Sequence, residues 1–204
     1  MNDTADTPRE KLQSLRRAVN VWTAASAGRE RALVEVMSGC ALMAVGANIA
    51  LPVPFTDVPM TLQLLAVLIT AFTLPAGRAN AAVLCYVAGG SLGLPFFAPG
   101  SLGLFGPNGG YILGFVVAVW LIGTLRSRNP LAMGRLSLAG VAAVAAVFFS
   151  AVCWRAIWLR ELRAAFVTGF LPFAPKAGLE LAVALALVRC VGGRRGGFTP
   201  ARRK

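Results

Sequence analysis

From about residue 32 onward the chain alternates long apolar runs with short breaks, and its polar positions gather at the two ends. Six apolar stretches stand out, at about 32–51, 58–75, 78–94, 110–126, 136–158 and 176–192. Each approaches the roughly 20 residues that a helix needs to cross the hydrocarbon core of a bilayer. The breaks carry physical stop signals: Pro52 and Pro54, Pro75 and Gly77, Pro95 through Gly110, Arg126 through Arg135, and Gly169 through Pro175. Proline and glycine clusters end helices, and in lipid the backbone groups so freed must find water or protein partners. The pattern predicts an all-α integral membrane bundle of six helices. It divides the chain into a polar basic tail at 1–31, a transmembrane substrate-binding domain at 32–192 and a basic tail at 193–204. The first tail has no uninterrupted apolar stretch before a small-residue cleavage site and reads as a tail rather than a signal peptide. It is either disordered or a helix along the membrane surface from about Leu12 to Thr23.

Composition agrees with the pattern. Apolar residues make up 57% of the chain and charged residues only 14%, against about 25% charged in an average soluble domain. A net charge of +12 would point to nucleic acid in a soluble protein. Here the cations follow the positive-inside rule instead. With both termini cytoplasmic, 16 of the 20 fall on the inner side, and only Arg155, Arg160, Arg163 and Lys176 fall outside. The outer connections at 52–57 and 95–109 hold no lysine or arginine. A multi-pass protein of the plasma membrane, with no nucleic-acid partner, is the expected setting.

Chemistry is sparse. There is no histidine, and beyond the N-terminal region only Glu35, Asp57, Glu161 and Glu180 supply carboxylates. Histidine-activated nucleophiles and histidine-ligated metals are excluded, and acid–base pairs are hard to assemble, so no catalytic residue, metal or cofactor is expected. Cys40, Cys85, Cys153 and Cys190 stand singly in apolar surroundings and read as packing residues.

Polar residues inside apolar runs are the informative ones. Thr61 and Gln63, at the start of the second stretch, and Asn48, near the end of the first, carry donors and acceptors that are costly against lipid, so they point inward. Each serves either a ligand or a neighbouring helix. Lys176 follows Phe173-Ala174-Pro175 at the start of the last stretch, where an ammonium and a helix N-terminus together favour an anion. Arg155, Arg160 and Arg163 either reach lipid headgroups or serve the site. The segment from Ser91 to Tyr111 is uncharged, rich in glycine and aromatic, and repeats Ser-Leu-Gly-Leu. It reads as a lid whose Phe96, Phe97 and Phe105 cover an apolar ligand, or as an interfacial aromatic belt. No Gly-Lys-Ser/Thr follows Gly110, so it is not a nucleotide-binding loop. Small residues four apart in the first stretch, Cys40 with Ala44 and Gly39 through Met43 with Ala47, allow close helix approach, either to a partner membrane protein or within the bundle.

Three segments carry a specific resemblance. Ala44 through Phe55 runs on into Val58-Pro59-Met60-Thr61-Leu62-Gln63; Gly93-Leu94-Pro95-Phe96-Phe97 is followed by Gly106-Pro107-Asn108-Gly109-Gly110-Tyr111-Ile112-Leu113-Gly114-Phe115; and Gly169-Phe170-Leu171-Pro172-Phe173 precedes the last stretch. Over about residues 40–190 the chain resembles the BioY family, the biotin-binding S components of energy-coupling factor (ECF) transporters. The resemblance implies a six-helix bundle with an outward vitamin pocket, working with a transmembrane coupling subunit and two ATPases. The chain departs from the family where P-G-D-x-x-K is usual before the last helix. Here the run is Pro175-Lys176-Ala177-Gly178-Leu179-Glu180, so the family's acid and lysine align with Ala177 and Glu180 and neither role carries over. The lid also lacks the arginine that family members carry.

For biotin, the expected site is Lys176 on the carboxylate, Glu180 or Asn108 accepting from the ureido nitrogens, and Gln63, Thr61, Asn48, Phe96, Phe97 and Tyr111 on the walls, with Lys176 and Glu180 spaced as a helical i, i+4 pair. A related small carboxylated substrate, such as a biotin precursor, is an alternative. An autonomous secondary transporter or channel is another, although the crossings offer only Glu35 and Glu180 for ion coupling. An integral-membrane enzyme is disfavoured.

Overall fold

The computed structural model of the chain describes the backbone of residues 8–51, 59–126 and 133–195, and the side chains of 28–51, 59–126 and 133–190. Asp57, the prolines of the first connection, Arg128 and the part of the expected C-terminal tail beyond Arg195 lie outside the described residues, whereas the start of that tail, residues 193–195, belongs to the last helix. The chain divides into two compact units, residues 1–35 and 36–204. The first is helical from Pro8 and carries an i, i+4 ion pair, Arg31 Nε to Glu35 Oε1 at 3.0 Å.

Helix α1 covers Pro8–Asn48 and therefore enters the second unit. After it the second unit contains β1 (Ala50–Leu51), β2 (Met60–Thr61), α2 (Gln63–Thr73), α3 (Ala76–Ser91), α4 (Gly109–Leu125), α5 (Met133–Leu159), α6 (Leu162–Gly169) and α7 (Ala174–Arg195). The two strands pair antiparallel, with Ala50 opposite Thr61 and Leu51 opposite Met60. Three features depart from the expected pattern. Thr61 lies in this ladder rather than in a helix, α2 begins only at Gln63, and α6 is a separate helix in the connection before the last stretch. Alternation of apolar and polar residues is too weak over eight positions to reveal α6.

Local chemistry sets the boundaries. Pro75 drives Leu74 into extended backbone, ψ 153°, and then sits at the N-terminal boundary of α3, where its missing N–H costs nothing. Helix α3 ends in a Schellman arrangement: Gly93 adopts φ +92°, its N–H donates to Gly90 O, and the Leu94 N–H donates to Gly89 O. The α2 carbonyls left open at its C-terminus are met by Arg126, whose guanidinium donates to Leu74 O at 2.8 Å and Ala71 O at 3.1 Å.

Glycines bring α4 and α5 together. A Cβ on Gly114 would lie 2.7 Å from Val147 Cα, and one on Gly110 would meet the Ser150 and Ala151 backbone. The same logic places α1. Gly39 is pressed against Thr70 and Ala82, Cys40 and Ala47 are buried, and Ala44 is half-buried against the core. Of the two readings of this stripe, docking to a partner or packing within the bundle, these contacts show the second, because only small side chains let α1 approach α2 and α3 this closely.

The core joins α1, α2, α3, α4, α5 and α7 through Met43, Val67, Leu68, Val83, Val119, Ile122, Val147 and Ala184. Apolar side chains also cover the outside: Leu138, Phe149 and Ile157 on α5, Trp120 on α4 and Leu179 on α7 are all exposed. A helix apolar on both its inner and its outer face matches lipid as the outer solvent. Among the described residues α5 alone is a single helix long and apolar enough to cross a membrane; α6 and α7 together make a span bent by 47°, while α2 and α4 are shorter apolar helices.

Candidate functional site

Between the hairpin, α2, α3, α4, α5 and α7, beneath the segment that joins α3 to α4, lies a cavity with about 730 Å³ of empty space, counting its open mouth. Its walls are mainly apolar: Leu64, Ile112, Phe115, Val147, Phe148 and Phe173, with Tyr86 and Tyr111. Few polar groups interrupt them, and each is held in place.

Lys176 and Glu180 occupy one wall. Lys176, in the first turn of α7, donates from Nζ to Glu180 Oε1 and to the backbone oxygen of Thr61, each at 2.5 Å. The hairpin thereby presents a carbonyl to the ammonium. The carboxyl side chain of Glu180 is 5% exposed and that of Lys176 19%. Glu180 Oε2 is buried without a hydrogen-bond partner of good geometry, although the first-turn amide of Leu65 adds a favourable interaction. The wall therefore carries a buried carboxylate directly beside a cation.

Asn108 stands elsewhere on the wall, at the residue preceding α4. Its side-chain oxygen accepts from Arg155 Nη1 at 3.2 Å, and Arg155 Nε donates to Thr168 Oγ1 at 3.0 Å. One turn further on, the Tyr111 hydroxyl donates to Gly169 O, and the Tyr111 ring meets those of Phe148 and Phe173, both at 6.4 Å. Gln63 donates to the Tyr86 hydroxyl at 2.6 Å.

The covering segment is fixed by aromatic packing. The Phe97 ring rests edge-on against Tyr86 at 5.5 Å and fills the space that a side chain on Gly90 or Gly103 would take. Gly103 also holds φ +60°, which a residue with a Cβ rarely adopts. Trp154 donates to Gly106 O at 2.9 Å, and Asn48 donates to Pro95 O at 2.9 Å.

Of the residues expected at the site, Lys176, Glu180, Asn108, Gln63, Thr61, Phe97 and Tyr111 line the cavity. Asn48 and Phe96 do not. Asn48 ties the covering segment to α1, and Phe96 stacks behind Tyr86 at 6.2 Å over Gly89, because its neighbour Phe97 takes the inward position. Phe105 is exposed, at 75%, and covers nothing. Two residues were missed. Tyr86 is one of only two tyrosines and its hydroxyl inside an apolar helix was the available signal. Arg155, read without assignment as either a headgroup anchor or a site residue, is 2% exposed and turned toward Asn108. Among the described residues no cluster of His, Cys, Asp or Glu is arranged to hold a metal.

Comparison with known proteins places this architecture. The model of the BioY family matches residues 17–195. The biotin transporter BioY of Thermotoga maritima is 34% identical over 157 residues, covering 76% of this chain and 91% of that one. Biotin transporter BioY2 of Lactococcus lactis subsp. cremoris is 32% identical, over 82% of this chain and 95% of its own. The crystal structure of the S-component for biotin from an ECF-type ABC transporter superposes with a TM-score of 0.70 at 21% identity, over 81% of this chain and 92% of that one, and so has the same fold. With its family model matched over most of its length and its fold shared, the chain belongs to the BioY family.

Proposed function

We propose that this chain is the membrane subunit that captures biotin from the outer side of the plasma membrane and passes it inward, in the manner of an S component. It is a transporter subunit, not an enzyme. In this reading the apolar helices cross the membrane six times with both termini in the cytoplasm, α6 lies within the connection before the last crossing, and a transmembrane coupling subunit with two ATPases supplies the energy. The charge distribution of the sequence supports that orientation.

One observation carries the choice of cargo: a buried carboxylate paired with an ammonium, on the wall of a mainly apolar cavity. A cyclic urea presents an N–H next to a C=O, and Glu180 Oε2 with Lys176 presents an acceptor next to a donor. This changes the expected assignment. Lys176 and Glu180 touch each other, whereas the ureido ring and the carboxylate of biotin are separated by the pentanoate chain. The pair therefore takes the ureido end together. A ligand carboxylate against Glu180 Oε2 would be repelled, so Lys176 is not its partner. The thiophane ring and chain lie on the apolar wall, beneath Phe97.

The test is thermal unfolding of the purified chain in detergent with biotin, desthiobiotin and an unrelated vitamin. A ligand at about 100 times its Kd, binding only the folded state, adds roughly 2.7 kcal/mol to stability. Biotin is expected to raise Tm and the unrelated vitamin to leave it unchanged; no shift with biotin rejects the reading. Because Ala177 and Glu180 replace the family's acid and lysine, a related ureido carboxylate is the second reading, and a larger shift with desthiobiotin selects it.

A further inference from the structure

Arg155 is a cation near the C-terminal end of α5, 2% exposed, and its Nη1 donates to Asn108 Oδ1. Arginine has five donors and no acceptor, so whichever way the Asn108 amide is turned, the atom facing Arg155 must be the oxygen. The amide NH₂ is then left to the cavity that Asn108 lines. Asn108 thus reaches the cargo as a donor and not as the acceptor that its sequence position also allowed. The guanidinium behind it adds positive potential in a region of low dielectric, where such a field is strong.

We propose that Arg155 is a positioning and specificity-determining residue, which locks Asn108 with its NH₂ toward the cavity and makes that corner the receptor for the anionic oxygens of the cargo. The inference rests on the biotin-capture reading and supplies its missing half, since the Lys176–Glu180 wall is suited to the ureido group and repels a carboxylate. Three features point the same way. The lid contains no lysine or arginine. Arg155 is anchored by Thr168, whose own hydroxyl donates to Ala164 O at 2.7 Å, so the guanidinium is held in place from the α6 side. No hydrogen bond joins Asn108 to Lys176 or Glu180 among the described residues, so the two polar corners act independently.

The experiment compares biotin with its methyl ester, which keeps the ureido ring and loses the charge, by calorimetry on the full chain in detergent. The wild type is expected to prefer biotin by about tenfold or more, the usual strength of a charge-assisted hydrogen bond. In Arg155→Gln, biotin should weaken by about tenfold or more while the ester changes by less than about threefold, so the preference collapses. Asn108→Asp, which can pair with Arg155 and so tolerates a fold that depends on that contact, should reverse the preference toward the ester. Equal weakening of both ligands in Arg155→Gln, or an Asn108→Asp protein that still prefers biotin, overturns the proposal. A wild type that binds both ligands equally also overturns it while leaving biotin capture standing; a wild type that binds neither removes the capture reading and this inference with it. If Arg155→Gln does not fold, the Asn108→Asp ratio decides.

Discussion

The ammonium of Lys176 lies 2.5 Å from Glu180 Oε1, and together with the Thr61 carbonyl this contact ties the first turn of α7 to the hairpin that precedes α2. The same two residues face the cavity, so one lysine both joins distant parts of the chain, through Thr61, and sets the chemistry of a wall with Glu180.

Removing either partner should cost more than removing both. Lys176→Met leaves a carboxylate buried without its cation, and truncating one member of a buried pair typically costs about 3–5 kcal/mol. The double variant Lys176→Met with Glu180→Met replaces the pair by apolar volume and should unfold at a higher temperature than Lys176→Met alone. Thermal unfolding in detergent measures this coupling. In the same proteins Glu180→Gln should weaken biotin by about tenfold or more, because a neutral amide is a poorer acceptor for an N–H than a carboxylate. Unchanged biotin affinity in both Lys176→Ala and Glu180→Gln would remove this pair from the site.

Two glycines should answer oppositely to the same substitution. Gly114→Ala places a methyl 2.7 Å from Val147 Cα and forces α4 from α5, at about 1–3 kcal/mol for overpacking. Gly178, inside α7, has nothing within 4 Å of an added Cβ, so Gly178→Ala should be neutral or stabilise by about 0.5–1 kcal/mol through helix propensity. Their melting temperatures, compared side by side, separate the packing effect from the propensity effect.

Phe97 should govern how long cargo stays. Its ring covers the cavity and is seated by Tyr86, Gly90 and Gly103. Phe97→Ala should raise the dissociation rate of biotin with little change in association, since interface truncations act mainly on dissociation. Gly103→Val should do the same indirectly, by displacing the ring and straining a backbone at φ +60°. Stopped-flow or surface-binding kinetics would show it; an unchanged dissociation rate in both variants excludes a covering role.

Arg126 should matter for stability and not for cargo. It donates to the last carbonyls of α2 and does not line the cavity. Arg126→Ala leaves these acceptors open and should lower Tm. Arg126→Lys should recover only part of the loss, because an ammonium cannot reproduce the planar fork that spans several carbonyls. Biotin affinity at a temperature where the variants are folded should stay within about threefold of wild type.

Spacing and composition determined much of this protein unaided. Apolar runs between proline and glycine breaks located the C-terminal part of α1, α2 through α5 and α7, because helices that are apolar on every face leave a long unbroken signal, and the order of glycines around Tyr111 identified the family. Inward-pointing polar residues were legible at Thr61 and Gln63, since a donor or acceptor facing lipid is too costly to expect, whereas Asn48, read the same way, holds the Pro95 carbonyl and does not line the cavity. What only the tertiary structure decided is which of two adjacent side chains turns inward and what each polar group already holds. Phe97 rather than Phe96 faces the cavity because Gly90 and Gly103 leave room for its ring, and Gly39 and Cys40 pack within the bundle because α2 and α3 lie against them. Arg155 reads as a headgroup anchor or a site residue in one dimension and as the holder of Asn108 in three. The difference is physical: periodicity reports which solvent a segment prefers, whereas a hydrogen bond between residues 47 positions apart exists only once the helices that carry them have packed.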